Sequence, residues 1–326
     1  MVAHKEESSS LTSAAEAKEY LKRHDRVRGF DVRLTKIHSV AWNCDGSRLA
    51  CGSQDKSVSV AALENSKLKC IFLGSGHTDQ VDQVAWNWTN PDLLASASGD
   101  KSIRVWDLRQ KKTQASLSTK SQNINVVWSP CGTYIVYGDK DDKLHLVDMR
   151  VVKTLHTEAF KQETNEFAFE HSGQFMYVAS GLGRVFIYKM PEMKLVKTLQ
   201  AHPSQTQCLS IKVDPTSEYF AVGAADALIS IWDVRELICV RTIDRLDWPV
   251  RAVAFSHDGQ ILAAGSEDHV VDIAWTETGE RVYELKSDAE TYTLAWHPRQ
   301  YLLAAGSGAD YREREPIGVK LFGLTD

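Results

Sequence analysis

The sequence predicts an all-β protein: a closed ring of seven similar four-stranded units, completed by an N-terminal strand. Three observations predict it. A short apolar string ending in Trp or a substitute returns every 41–44 residues. Each string is followed by a turn and two further strand patterns in step with it. The seventh unit then stops one strand short.

Taken in order, residues 1–25 stand apart as an N-terminal extension and residues 26–326 form the ring. Met1–Ser13 is polar and Ser-rich, without the apolar centre of a secretion signal. Leu11–His24 reads either as a short helix, with Ser10 or Thr12 as N-cap, or as a disordered extension. Val27–Leu34 is the segment placed to supply the missing strand, by pairing with Gly318–Phe322. That pairing would remove an open sheet edge, which otherwise invites association with other chains.

The repeat itself begins at Ser39-Val40-Ala41-Trp42. It returns with Trp86, Trp128, Phe169, Val213, Phe255 and Trp296 at the same slot. Turn residues such as Asp45-Gly46, Pro130-Cys131-Gly132 and Asp258-Gly259 follow. Then comes a short strand closing on an Asp: Asp55, Asp100, Asp141, Asp226 and Asp268 mark five units. Two residues later an alternating strand starts, as in Ile103-Arg104-Val105 and Ile229-Ser230-Ile231. Period-2 alternation rich in β-branched residues marks half-buried strands. A period of 40–45 residues with this content is that of a seven-bladed WD40 β-propeller. Of the nine tryptophans, Trp88 and Trp275 fit no slot in the pattern.

Composition excludes several function classes. The net charge of −5, from 38 basic and 43 acidic residues, removes the broad positive field of a phosphate-gripping protein. No apolar run approaches the roughly 18 residues that span a bilayer, so no membrane role is expected. Six scattered cysteines without a C-x-x-C pair read as reduced core residues of a cytosolic or nuclear chain. No metal or cofactor is expected: Gly181-Leu182-Gly183 lacks the third Gly of a dinucleotide loop, and Asp139–Lys143 reads as a solvated turn. The basic run Lys22–Arg26 reads as a solvated helix end.

His77, Ser96 and Asp100 superficially resemble a hydrolytic triad. With Trp106 they read better as a structural tetrad, in which Asp100 binds His77, His77 contacts Ser96, and Ser96 meets Trp106. The Asp recurs from unit to unit whereas a catalytic set would occur once. His202, Asp226 and Trp232 repeat the set in the fifth unit, with Val222 where the Ser would be. No enzyme activity is expected. What remains is a surface. Residues just before the repeated strings line the mouth of the central channel: His38, Asp82, Asn125, Asn165, Glu166 and Arg251. Beside them, Asp247 and Trp248 lie in a connecting loop. Trp248 either folds over the blade edge or projects as an anchor for a partner. The loop Ser307–Pro316 is a charged insertion in the last unit.

The strings Lys36–Trp42, Val81-Asp82-Gln83, Ala97–Asp107, Gly223–Asp233 and Leu246–Arg251 resemble those of the WD-repeat subunits of the THO complex, over about Lys22 to Leu324. The resemblance implies a non-catalytic nuclear subunit that docks on a large helical scaffold subunit of THO. It further implies partners among the other THO subunits, RNA met only through the complex, a role in coupling transcription to mRNA export, and no small-molecule substrate. An alternative is a substrate receptor of a cullin-RING ubiquitin ligase. It rests on the W-D-x-R endings Trp106-Asp107-Leu108-Arg109 and Trp232-Asp233-Val234-Arg235.

Overall fold

In each unit the inner strand buries at least half of its residues, while the outer strand leaves at least half of its own in water in every unit but the sixth. Val81–Trp86 buries half of its residues and exposes none, Leu93–Ser98 buries all but one, and Lys112–Ser118 alternates strictly between exposed and half-buried. This gradient is what a sheet acquires when its first strand lies at a shared axis and its fourth at the rim. The computed structural model describes residues 10–30, 36–287, 289–307 and 318–324. It contains seven four-stranded antiparallel sheets arranged as a seven-bladed β-propeller. Blade one runs from Ile37 to Gly74 and blade two from Val81 to Ser118. Blades three to six follow as Asn123–Ala159, Thr164–Gln200, Cys208–Ile243 and Val250–Lys286.

The core lies between blades. Val58, Val60 and Phe72 of blade one pack with Val81, Trp86 and Trp106 of blade two in one buried cluster. Three of the four repeated tryptophans also join adjacent inner strands by hydrogen bonds. Trp86 Nε1 donates to the Ala41 carbonyl at 2.9 Å, Trp296 Nε1 to Ala254 at 3.1 Å, and Trp42 Nε1 to Ala295 at 3.2 Å. In these three blades the indole bonds to the backbone of the preceding blade, whereas Trp128 Nε1 at the same slot is buried without a partner. The three bonds explain why an indole sits at the end of those inner strands.

Blade seven consists of Thr291–Trp296, Leu303–Ser307 and Val319–Phe322, with Val27–Phe30 as its outer strand. Val27 pairs with Phe322 and Phe30 with Val319, so the N-terminal strand closes the ring. Asp31–Leu34, the remainder of the expected closing strand, and all of the 307–316 loop after Ser307 lie outside the described residues.

The helix runs Ala14–Arg23, and its N-cap is Ser13 rather than Ser10 or Thr12. Ser13 Oγ accepts the Glu16 N–H, while the Thr12 N–H and hydroxyl both donate to the Glu16 carboxylate. Ser10 instead donates to Asp258, and the Leu11 N–H donates to Tyr301 Oη at 3.0 Å. Those tertiary bonds hold the chain extended through residue 12, which shifts the cap to the next hydroxyl. Ala17 and Leu21, one helical turn apart, are buried against Val282, Leu285, Tyr301 and Phe322 of blades six and seven. Trp275 is buried in the same cluster, which gives it a core role that the repeat pattern alone does not assign.

Candidate functional site

The turn after the second strand of blade two gathers the four residues singled out above. His77 Nδ1 lies 2.8 Å from Asp100 Oδ2, and His77 Nε2 lies 2.7 Å from Ser96 Oγ. Trp106 Nε1 donates to the same Ser96 Oγ at 2.9 Å. A neutral His77 satisfies every link: Nδ1–H donates to Asp100, and Nε2 accepts the Ser96 hydroxyl. Burial lowers the His77 pKa, and Asp100 opposes it only in part. Burial alone would raise the Asp100 pKa. Hydrogen bonds from Ser102, His77 and the Thr78 N–H outweigh it and hold the carboxyl below its ordinary value. Ser96 is fully buried, so its hydroxyl has no route to a substrate.

Blade five carries the same arrangement with its serine on another strand. His202 bonds Asp226 at 3.0 Å, and Ser230 lies 2.9 Å from both His202 Nε2 and Trp232 Nε1. The reading that Val222 leaves this set without its serine is thus corrected. Val222 and Ser230 are cross-strand partners, and such partners share a sheet face, so a hydroxyl from either strand reaches the same point. Blade three uses a third solution: His145, from the third strand, bonds Asp139 at 3.0 Å and stacks on Tyr137. Sequence reasoning missed it because the histidine is not in the connecting loop. Its signal is the polar slot of Leu144-His145-Leu146.

All eight surface candidates lie at the rim where the inner strands begin. Six of them, His38, Asp82, Asn125, Asn165, Glu166 and Arg251, line a central channel of about 880 Å³. Several are already engaged. Asn165 Nδ2 donates to the Cys208 carbonyl at 2.9 Å, and Glu166 accepts the Ile211 N–H and pairs with Lys212, so both tie blade four to blade five. Arg251 pairs with Glu267 at 2.6 Å. His38 Nε2 and Asp82 Oδ2 are buried without hydrogen-bond partners. Burial pushes Asp82 up to about 6, against a hydrogen bond from Gln80 that favours the charged form.

The Asp82 shift has a measurable sign. A carboxyl whose folded pKa exceeds its unfolded value disfavours folding once the unfolded chain has ionised, from about pH 4 upward. The effect is complete above about pH 6. Asp82→Asn is therefore expected to stabilise the fold by about 1–2 kcal/mol at neutral pH and to change nothing below about pH 4. Thermal melts of both proteins across that range check it. A gain independent of pH would rule out ionisation as the cause.

The Asp247-Trp248 loop differs from the rest of the rim. Leu246 takes the place of the histidine and is buried. Asp268 Oδ2 accepts the Asp247 N–H at 2.9 Å and the Trp248 N–H at 3.2 Å. On the other side of Leu246, Arg245 makes two bonds to the buried Asp272 carboxylate, which Arg281 also grips. The backbone is fixed at both ends, yet the Trp248 side chain is 57% exposed. Of the two conformations open to it, Trp248 takes the projecting one. The W-D-x-R endings lie at the opposite rim, where the third strands finish. There Asp107 is buried and accepts bonds from its own Arg109, and Asp233 caps the turn at Arg235 and Glu236.

Comparison with known proteins places this geometry. Residues 33–306 match the family model of the THOC3 β-propeller domain. The chain is 41% identical over 302 residues to THO complex subunit 3 of Arabidopsis thaliana, covering 91% of this chain and 95% of that protein. The chain belongs to the THO complex subunit 3 family. Another relative is WD repeat-containing protein AAC3 of Dictyostelium discoideum, 32% identical over 322 residues, with 91% of this chain and 66% of that protein covered. Among solved structures, the Cps50 (Swd1) β-propeller domain of Myceliophteria thermophila superimposes with a TM-score of 0.79. That match covers 92% of this chain and all of that one at 19% identity, a likeness of fold alone.

Proposed function

We propose that the chain is a non-catalytic, nuclear WD-repeat subunit of the THO complex, and that its Trp248 rim docks on a large helical subunit of that complex. In this role it supports assembly of the mRNA–protein particle during transcription and its export. RNA is met through the assembly, in keeping with the net charge of −5. Family membership supports the complex. The observation that carries the docking face is Trp248, a large aromatic held in water on a backbone pinned by Asp268 and Arg245. Rigid exposed aromatics make strong anchors because little conformational freedom is lost when they are buried.

Affinity purification of the tagged chain followed by mass spectrometry tests the assembly. Recovery of the other THO subunits in stoichiometric amount is the expected result. Recovery of a cullin adaptor in their place would favour the ubiquitin-ligase alternative, which the locally paired Asp107 and Asp233 do not support.

A further inference from the structure

The outer strand of each of blades one to six carries one extra residue at a β-bulge, and the fate of that residue differs between blades. In blade six it is Val282, buried to 4% beneath the N-terminal helix. Two residues earlier, Glu280 receives Lys18 of that helix in an ion pair. The chain thus contains one worked example of an amphipathic helix seated on an outer strand: an apolar bulge residue under its apolar face, and a charge pair at its flank.

Blade four repeats the seat without an occupant. Its outer strand, Lys194–Gln200, has Val196 at the bulge, 54% exposed, with exposed Leu195 beside it. The turn before it has the same length as in blade six, so Lys194 stands where blade six has Glu280. Lys194 is paired directly opposite Lys189, a like-charge juxtaposition that destabilises a sheet. Lys197 adds a third cation, against Glu192 in the turn. In blade three, Leu155 is the bulge residue, 51% exposed, with Lys153 two positions earlier. Blade two has exposed Gln114 at this place, so the architecture itself does not demand an exposed apolar residue there.

We infer that the outer strand of blade four, flanked by Leu155 of blade three, seats an amphipathic helix of another THO subunit, with Asp or Glu at the flank where this chain's own helix carries Lys18. The inference rests on the THO reading above and adds a second contact, on the side of the propeller rather than on its rim. Exposed aliphatic side chains beside lysines suit a protein helix. A single-stranded RNA would be served by aromatic platforms, and the strand from Lys194 to Gln200 has none.

The test uses the full chain reconstituted with the other THO subunits. Lys194→Glu/Lys197→Glu and, separately, Val196→Ser are expected each to weaken association about tenfold while the melting temperature holds. Carbodiimide, which joins lysine to a carboxylate with no spacer, is expected to link Lys194 or Lys197 to an Asp or Glu in a helical segment of another subunit, and raised salt to suppress the link. Wild-type binding by both variants with no such cross-link overturns the seat and leaves the complex intact. Loss of RNA binding alone, with subunit binding unchanged, also overturns it. Failure of the unaltered chain to bind any THO subunit removes both this inference and the reading on which it rests.

Discussion

Asp100→Ala is expected to be the most damaging truncation of a polar side chain in blade two, destabilising the fold by about 2–4 kcal/mol. The carboxylate accepts from His77, from the Thr78 N–H, and from both the backbone and the hydroxyl of Ser102. Its removal leaves those donors unmatched, and His77 is buried with no access to water as a replacement. The loss has a pH signature. Because Asp100 is held below its ordinary value, its contribution is complete above the unfolded carboxyl range and fades as pH falls through the folded pKa. The gap between wild-type and variant melting temperatures should therefore be widest near neutrality and close in acid. An unchanged melting temperature at pH 7 would refute the tetrad as a stabilising network. Ser96 and Trp106 would be expected to retain their mutual bond in the variant, so near-ultraviolet circular dichroism should report loosening of the loop before any loss of the blade.

The rim variant Trp248→Ala/Arg251→Ala is expected to behave in the opposite way. Trp248 contributes little to the core because its ring is largely in water, and Arg251 makes a rim ion pair with Glu267. Surface pairs of this kind contribute at most about 1 kcal/mol, so the melting temperature should fall by no more than a few degrees. Under the docking proposed above, association with the other THO subunits should weaken by about tenfold or more, the loss typical of a central aromatic anchor. A pull-down equal to wild type removes this loop from the interface. Glu267→Ala serves as a control, since it frees Arg251 without shortening it.

The ring was legible in the sequence because its signal is repeated. One Trp slot is ambiguous, but seven slots at near-constant spacing are not. The alternation of Val58-Ser59-Val60 or Ile103-Arg104-Val105 is set by local sterics. What escaped was anything decided across strands or by distant contacts. Ser230 replaces Ser96 in function because two cross-strand positions share a face, a relation invisible along the chain. The helix cap moved to Ser13 because Tyr301 and Asp258, far away in sequence, hold residues 10 and 11. Trp275 acquired its role only when the helix covered it. At the rim, exposure of Trp248 and engagement of Glu166 were equally consistent with their residue types. Only the partners of Asp268 and Lys212 separate them.

The pairing of Val27–Phe30 with Val319–Phe322 has a consequence for how the protein is made. A chain emerging from the ribosome can complete blades one to six as local hairpins, each formed within about 40 residues of synthesis. The seventh cannot form until residues 319–322 have left the exit tunnel. Until then, blade one and the newest blade both present bare flanks, and the waiting N-terminal strand has no partner. Closing the circle joins residues nearly 300 positions apart, a step that topology makes slow. The open ring is therefore the species most exposed to mispairing. Proteolysis of stalled nascent chains should reveal a sharp gain in protection only as the final strand emerges.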